Sequence, residues 1–200
     1  MIKDTFRTIA THSEGLYKEK GSKFIAHAHP VDSENEIKEL IEQYRKTFYD
    51  ARHVCYAYRL GPEGEQYRHN DDGEPSGTAG KPIYGQLLSF DITDVLIVVI
   101  RYFGGIKLGV SGLINAYKLA AQDALAQAEI KECIVTVLYR LMFEYPLMND
   151  VMRLLKEENP EIKTQVFELA CTIDIAIRLS EEVKVISRMQ QLYGLKIEKL

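Results

Sequence analysis

With 200 residues, 46% of them apolar, and a net charge of −4, the chain can build one large domain or two small ones and lacks the basic excess of a bulk nucleic-acid binder. No apolar run reaches the roughly 18 residues needed to span a bilayer, and the first residues lack a signal-peptide pattern, so a cytoplasmic protein without membrane association is expected. Cys55, Cys133 and Cys171 are odd in number, far apart and set in strand-like runs, which predicts buried thiols rather than disulfides or a zinc site.

Phe6 to Tyr17 and Lys23 to Val31 alternate around a charged tip at residues 18–22 and predict a hairpin. His27 and His29 share a face of its second strand. With no carboxylate or cysteine read in register with them, satisfied strand histidines are expected rather than a metal site. Ser33-Glu-Asn-Glu36 is a capping box, and Ile37, Leu40, Ile41, Tyr44 and Phe48 follow at helical spacing. His53 to Leu60 reads as a strand, and the glycines at 61 and 64 punctuate a turn.

Residues 67–82 combine polar groups and turn formers without a hydrophobic period, so a loop is expected, followed by a helix beginning near Thr78. Asp71, Asp72 and Glu74 in it suit three roles: divalent-cation ligands, an acid/base pair, or turn and helix-capping groups. Neither Ser76 nor Ser111 sits in a nucleophile elbow, and no catalytic triad can be assembled.

Six apolar residues, Val95 to Ile100, predict a strand buried on both faces, ending on Arg101. Tyr102-Phe103 then leads into glycines at 104, 105, 109 and 112 and a helix over 111–129. Strand, glycine loop and helix can form an anion site, because backbone N–H groups and a helix N-terminus point at the ligand; they also suit a tight structural turn. Neither phosphate fingerprint fits. The glycine spacing fails the dinucleotide pattern, and Val110 stands where the Walker lysine belongs. The helix is expected to bury Leu113, Ile114, Tyr117, Ala120, Ala121, Ala124, Leu125 and Ala128.

Past residue 130 a second unit begins. Val135 to Phe143 alternates as a strand, a helix ends at Asn159-Pro160, Ile162 to Glu168 and Cys171 to Leu179 are strands, Ser180 caps a second helix, and Leu195 to Leu200 is a last strand. The order βαββαβ predicts a ferredoxin-like domain over 131–200, after an N-terminal domain over 1–130. Thr172, Asp174, Ala176 and Arg178 line one strand face, so that sheet lacks an aromatic set for stacking bases.

Two stretches, Asp71-Asp-Gly-Glu-Pro-Ser-Gly-Thr-Ala-Gly-Lys-Pro82 and Val99-Ile-Arg-Tyr-Phe-Gly-Gly-Ile-Lys-Leu-Gly109, together resemble the signature of the IMPACT/YigZ family, in its bacterial two-domain form. Ser111, where a glycine is expected, and Asn115, where an arginine is common, depart from the pattern. The resemblance covers roughly residues 15 to 125. It implies an α+β protein: an N-terminal domain like domain 2 of ribosomal protein S5 and domain IV of elongation factor G, and a C-terminal domain like the ferredoxin-like domain of that factor. It also implies a non-enzymatic, translation-associated function with RNA, the ribosome or a translation-regulatory protein as partner. Eukaryotic relatives regulate translation during amino-acid starvation and carry a different extra domain. The alternative is an enzyme with its substrate between the two loops. The candidate binding residues are Arg68, Asp71, Asp72, Glu74, Lys81, Arg101, Tyr102, Gly104, Gly105, Lys107 and Gly109; no catalytic residue is named, and no metal or cofactor is expected.

Overall fold

The computed structural model describes residues 4–168 and 170–200, an α+β chain that divides into two compact units. One spans Phe6–Cys133; the other comprises 134–200 with Asp4 and Thr5.

In the first unit a five-stranded antiparallel sheet runs in the order β2 (Ser13–Glu19), β3 (Ser22–Pro30), β6 (Val95–Tyr102), β4 (His53–Leu60), β5 (Gln66–Asn70). The continuous apolar run makes β6 the central strand, and Val95 to Ile100 are wholly buried. Val95, Ile97 and Val99 face α2 (Gly80–Ser89) and α3 (Gly109–Ala126), while Leu96, Val98 and Ile100 face α1 (Glu34–Thr47). Burying such a side chain contributes about 1.5–3 kcal/mol, so this strand anchors both cores.

The small residues of α3 have a specific task. A Cβ at Gly15 of β2 would stand 2.2 Å from the backbone nitrogen of Ala124, so strand and helix touch backbone to backbone. Ser13 Oγ donates to the Ala124 carbonyl at 2.8 Å in the same contact. The buried stripe includes Ala116 and excludes Ile114, which is 38% exposed.

Several boundaries differ from the sequence reading. Phe6 to Tyr17 is two strands: β1 (Thr5–Ile9) leaves to pair with β7 (Ile130–Ile134), and only β2 forms the hairpin with β3. Tyr67 to Asn70 are the edge strand β5, not loop. α2 starts at Gly80, and α3 spans 109–126 rather than 111–129. Ser33 does cap α1, accepting from Glu36 N, but the Glu36 carboxylate reaches back to Asp32 N.

In the second unit β8 (Thr136–Glu144), α4 (Met148–Glu158), β9 (Glu161–Phe167), β10 (Ala170–Arg178), α5 (Glu182–Met189) and β11 (Lys196–Lys199) follow the order βαββαβ. Their antiparallel sheet runs β11-β8-β10-β9. Leu141, Ile173, Ile175 and Ile177 pack against Val151, Leu155, Val185 and Met189 of the helices. On the other face Arg140 donates two hydrogen bonds to Asp174, at 2.7 and 2.8 Å. Asn159, in the left-handed conformation, stops α4. Ser180 does not cap α5, which begins only after a 3-10 turn; Ser180 bonds the Asp4 carboxylate.

Candidate functional site

The two signature loops meet at Arg101. It lies near the end of β6, between Phe24 of β3 and His53 of β4 in register, and only 7% of it is exposed. Its Nη1 donates to Glu74 Oε1 at 2.5 Å, and its guanidinium lies between the Phe24 and Phe103 rings, 5.5 and 5.7 Å from their centroids. Tyr117 of α3 donates to the same Glu74 oxygen at 2.8 Å. Cys55 Sγ lies 3.4 Å from the Tyr117 hydroxyl and 3.0 Å from the Asp71 carbonyl. Burial pushes both the Cys55 thiol and the Tyr117 phenol upward, so both are protonated at neutral pH and neither is an activated nucleophile.

The aspartates fold the first loop. Asp71 accepts from the backbone N–H groups of Gly77, Ala79 and Gly80, at 2.8 to 3.0 Å, and so caps α2 from nine residues upstream. Burial pushes the Asp71 carboxyl up, but the three donors outweigh it and hold it below its ordinary range. Asp72 takes a left-handed φ of 43°, accepts from Val54 N at 2.8 Å and receives Arg45 at 2.8 Å. Of the roles open to these carboxylates, the structure displays capping, turn formation and a buried ion pair.

Arg101 thus pairs with Glu74, rather than with the Asp71 or Asp72 nearby in sequence. Tyr102 is half-buried and donates to Asp50 at 2.9 Å. Arg68 and Lys81 are exposed on β5 and α2. Register places Arg68 beside Tyr58 and hence level with Leu96, about 16 Å along the sheet from Arg101. Arg68 does not join the second loop.

The glycine loop has a different neighbour. A Cβ at Gly104 would lie 1.9 Å from the Gly21 carbonyl carbon, and Gly104 N donates to Ser22 Oγ at 3.1 Å. The tip of the β2–β3 hairpin is therefore locked onto this loop, with Lys18, Lys20 and Lys23 exposed on the tip and Lys107 exposed on the loop. Phe103, Ile106 and Val110 are 52, 57 and 60% exposed; Phe103 lies on the Arg101 face of the sheet, whereas register sets Lys18 and Lys23 with Tyr102 on the opposite face. Gly105 and Gly109 adopt φ of 87° and 74°, where a side chain would strain the backbone. The charged hairpin tip was visible in the sequence, but its place beside Gly104 follows only from the order of the sheet.

On the α1 side of the same hairpin, Glu14 lies directly across from His27, so a carboxylate is in register with that histidine after all. Burial pushes both His27 and His29 down, His29 to about 4.

The family model of the Impact N-terminal domain matches residues 20–125. The IMPACT family member YvyE of Bacillus subtilis is 35% identical over 78% of this chain and 81% of its own length. The IMPACT family member YigZ of Escherichia coli is 33% identical over 79% and 78%. A crystal structure of a hypothetical protein superposes with a TM-score of 0.76 and 28% identity, covering 100% of this chain and 98% of its own.

Proposed function

The chain belongs to the IMPACT family, and on that premise we propose a non-enzymatic, translation-associated protein that grips ribosomal RNA through the interlocked hairpin tip and glycine loop. The N-terminal unit is read as the S5 domain 2-like module and the βαββαβ unit as the ferredoxin-like module; the motif resemblance supports a translation-associated role for such a pair. The observation that carries the reading is the concentration of four exposed lysines, Lys18, Lys20, Lys23 and Lys107, on the interlocked tip and loop, with Phe103 and Ile106 exposed on that loop, in a chain whose net charge is −4. Lysines engage phosphates while an exposed aromatic offers a face to an unpaired base.

Arg101, Asp71, Asp72 and Glu74 act behind that surface by fixing the loops, and the exposed Arg68 and Lys81 are set aside as contacts of the same patch. The enzyme alternative is less supported, because the carboxylates it needs already serve the fold and the buried thiol and phenol are protonated.

Co-sedimentation with ribosomes at two salt concentrations tests the proposal. Four phosphate contacts give a slope of log affinity on log salt of about −2.8 for single strands to −3.6 for a duplex, so affinity should fall about 50- to 150-fold between roughly 50 and 200 mM salt. Lys20→Glu combined with Lys107→Glu should abolish co-migration at low salt with the fold intact. Retained binding by that double variant would overturn the proposal.

A further inference from the structure

We propose that His12, Glu14 and His27 form a binding site for one divalent transition-metal ion with the coordination preferences of zinc. The three residues come together because β2 pairs with β3 in the register that sets Glu14 opposite His27, with His12 immediately before β2. His12 Nε2 lies 3.1 Å from His27 Nδ1, and Glu14 Oε1 lies 3.5 Å from the latter and 3.9 Å from the former. Zinc–nitrogen bonds of about 2.0–2.1 Å in a tetrahedron put neighbouring ligand atoms roughly 3.3 Å apart, so an ion fits with small side-chain adjustments. Two imidazoles and one carboxylate are a borderline donor set that suits zinc, with a fourth position open to water.

The rings are held in place before any ion arrives. His27 is 7% exposed, with the Tyr44 ring 4.8 Å and the Phe48 ring 6.0 Å away, and its Nε2 is buried without a hydrogen-bond partner. Its polar contacts lie at Nδ1, the atom facing His12 and Glu14; an ion bound there leaves the ring proton on Nε2 without an acceptor, a cost that the metal bond has to exceed. The His12 ring stacks on His29 at 4.3 Å, which steadies the more exposed ligand. His29 itself is not a ligand: its Nε2 lies 2.6 Å from the Tyr44 hydroxyl. An ion here would pin the start of the edge strand to β3, at the opposite end of the hairpin from the lysine tip.

The test is a zinc titration of the chelator-stripped full chain in competition with a chromogenic chelator, accompanied by the optical spectrum of the cobalt-loaded protein. One equivalent should bind, with a cobalt spectrum of tetrahedral intensity. His12→Ala and Glu14→Gln alter exposed side chains and should keep the native circular dichroism. Each should weaken binding by more than about tenfold, the loss that removing even an outer-shell partner of a metal ligand produces. Absence of binding by the folded wild-type chain would overturn the site, as would unchanged affinity in both variants.

Discussion

Replacing Arg101 with alanine puts the buried ion pair to a quantitative test. The Glu74 side chain is 3% exposed, and Arg101 supplies its only cationic hydrogen-bond donor among the described residues; the Tyr117 hydroxyl would remain, and His53 Nε2 stands 3.9 Å away. Stranding a buried charge costs about 3–5 kcal/mol. In a chain of this length each kcal/mol shifts the melting midpoint by about 2–4 °C, so a fall of about 6–20 °C is expected. Removing both charges is a different perturbation. Arg101→Met with Glu74→Gln leaves similar volume and no uncompensated ion, and should recover most of the loss, with a coupling of about 2–3 kcal/mol in the double-mutant cycle. Urea unfolding followed by circular dichroism measures the four corners of that cycle, wild type, Arg101→Met, Glu74→Gln and the double variant, with Arg101→Ala alongside. An Arg101→Ala cost below about 1 kcal/mol, or a double variant no better than the singles, would refute the reasoning.

Gly104→Ala should destabilise by about 1–3 kcal/mol or more, because its Cβ would meet the Gly21 backbone rather than a movable side chain; thermal unfolding reads it, and a neutral result would mean the hairpin tip is not locked to the loop. Asp71→Ala removes the acceptor of three backbone N–H groups, Gly77 in the turn and Ala79 and Gly80 at the start of α2, and should cost about 1–2 kcal/mol in chemical denaturation. Because the folded Asp71 carboxyl titrates below its ordinary value of 3.8, its contribution is fully present above that pH and is lost as pH falls through the lower folded value. The stability difference between wild type and Asp71→Ala should therefore shrink below about pH 4, and a difference that stays constant there would count against the assignment. Phe103→Ala, at a half-exposed position, should leave the melting midpoint within a few degrees while weakening ribosome co-sedimentation; undiminished binding would remove the aromatic from the proposed surface.

The sequence alone determined the features that depend on near neighbours. Val95 to Ile100 is apolar without interruption and so had to be a doubly covered strand; Ser33 and Glu36 stand at capping distance; Asn159-Pro160 can only end a helix; and the alternating isoleucines of β10 fix which face meets α4 and α5. Only the tertiary structure decided the partners of groups whose neighbours lie far along the chain. Glu74 rather than Asp71 meets Arg101 because the left-handed turn at Asp72 and Gly73 reverses the chain. Asp71 is occupied by α2, and Arg68 is carried away on an edge strand. Glu14 faces His27, and Gly21 meets Gly104, because of strand register and sheet order. A one-residue shift of register moves a side chain to the other face of the sheet, and the energies that set it are summed over the whole core. The charges that fold this protein and the charges left for a partner therefore look alike in the sequence, and burial separates them.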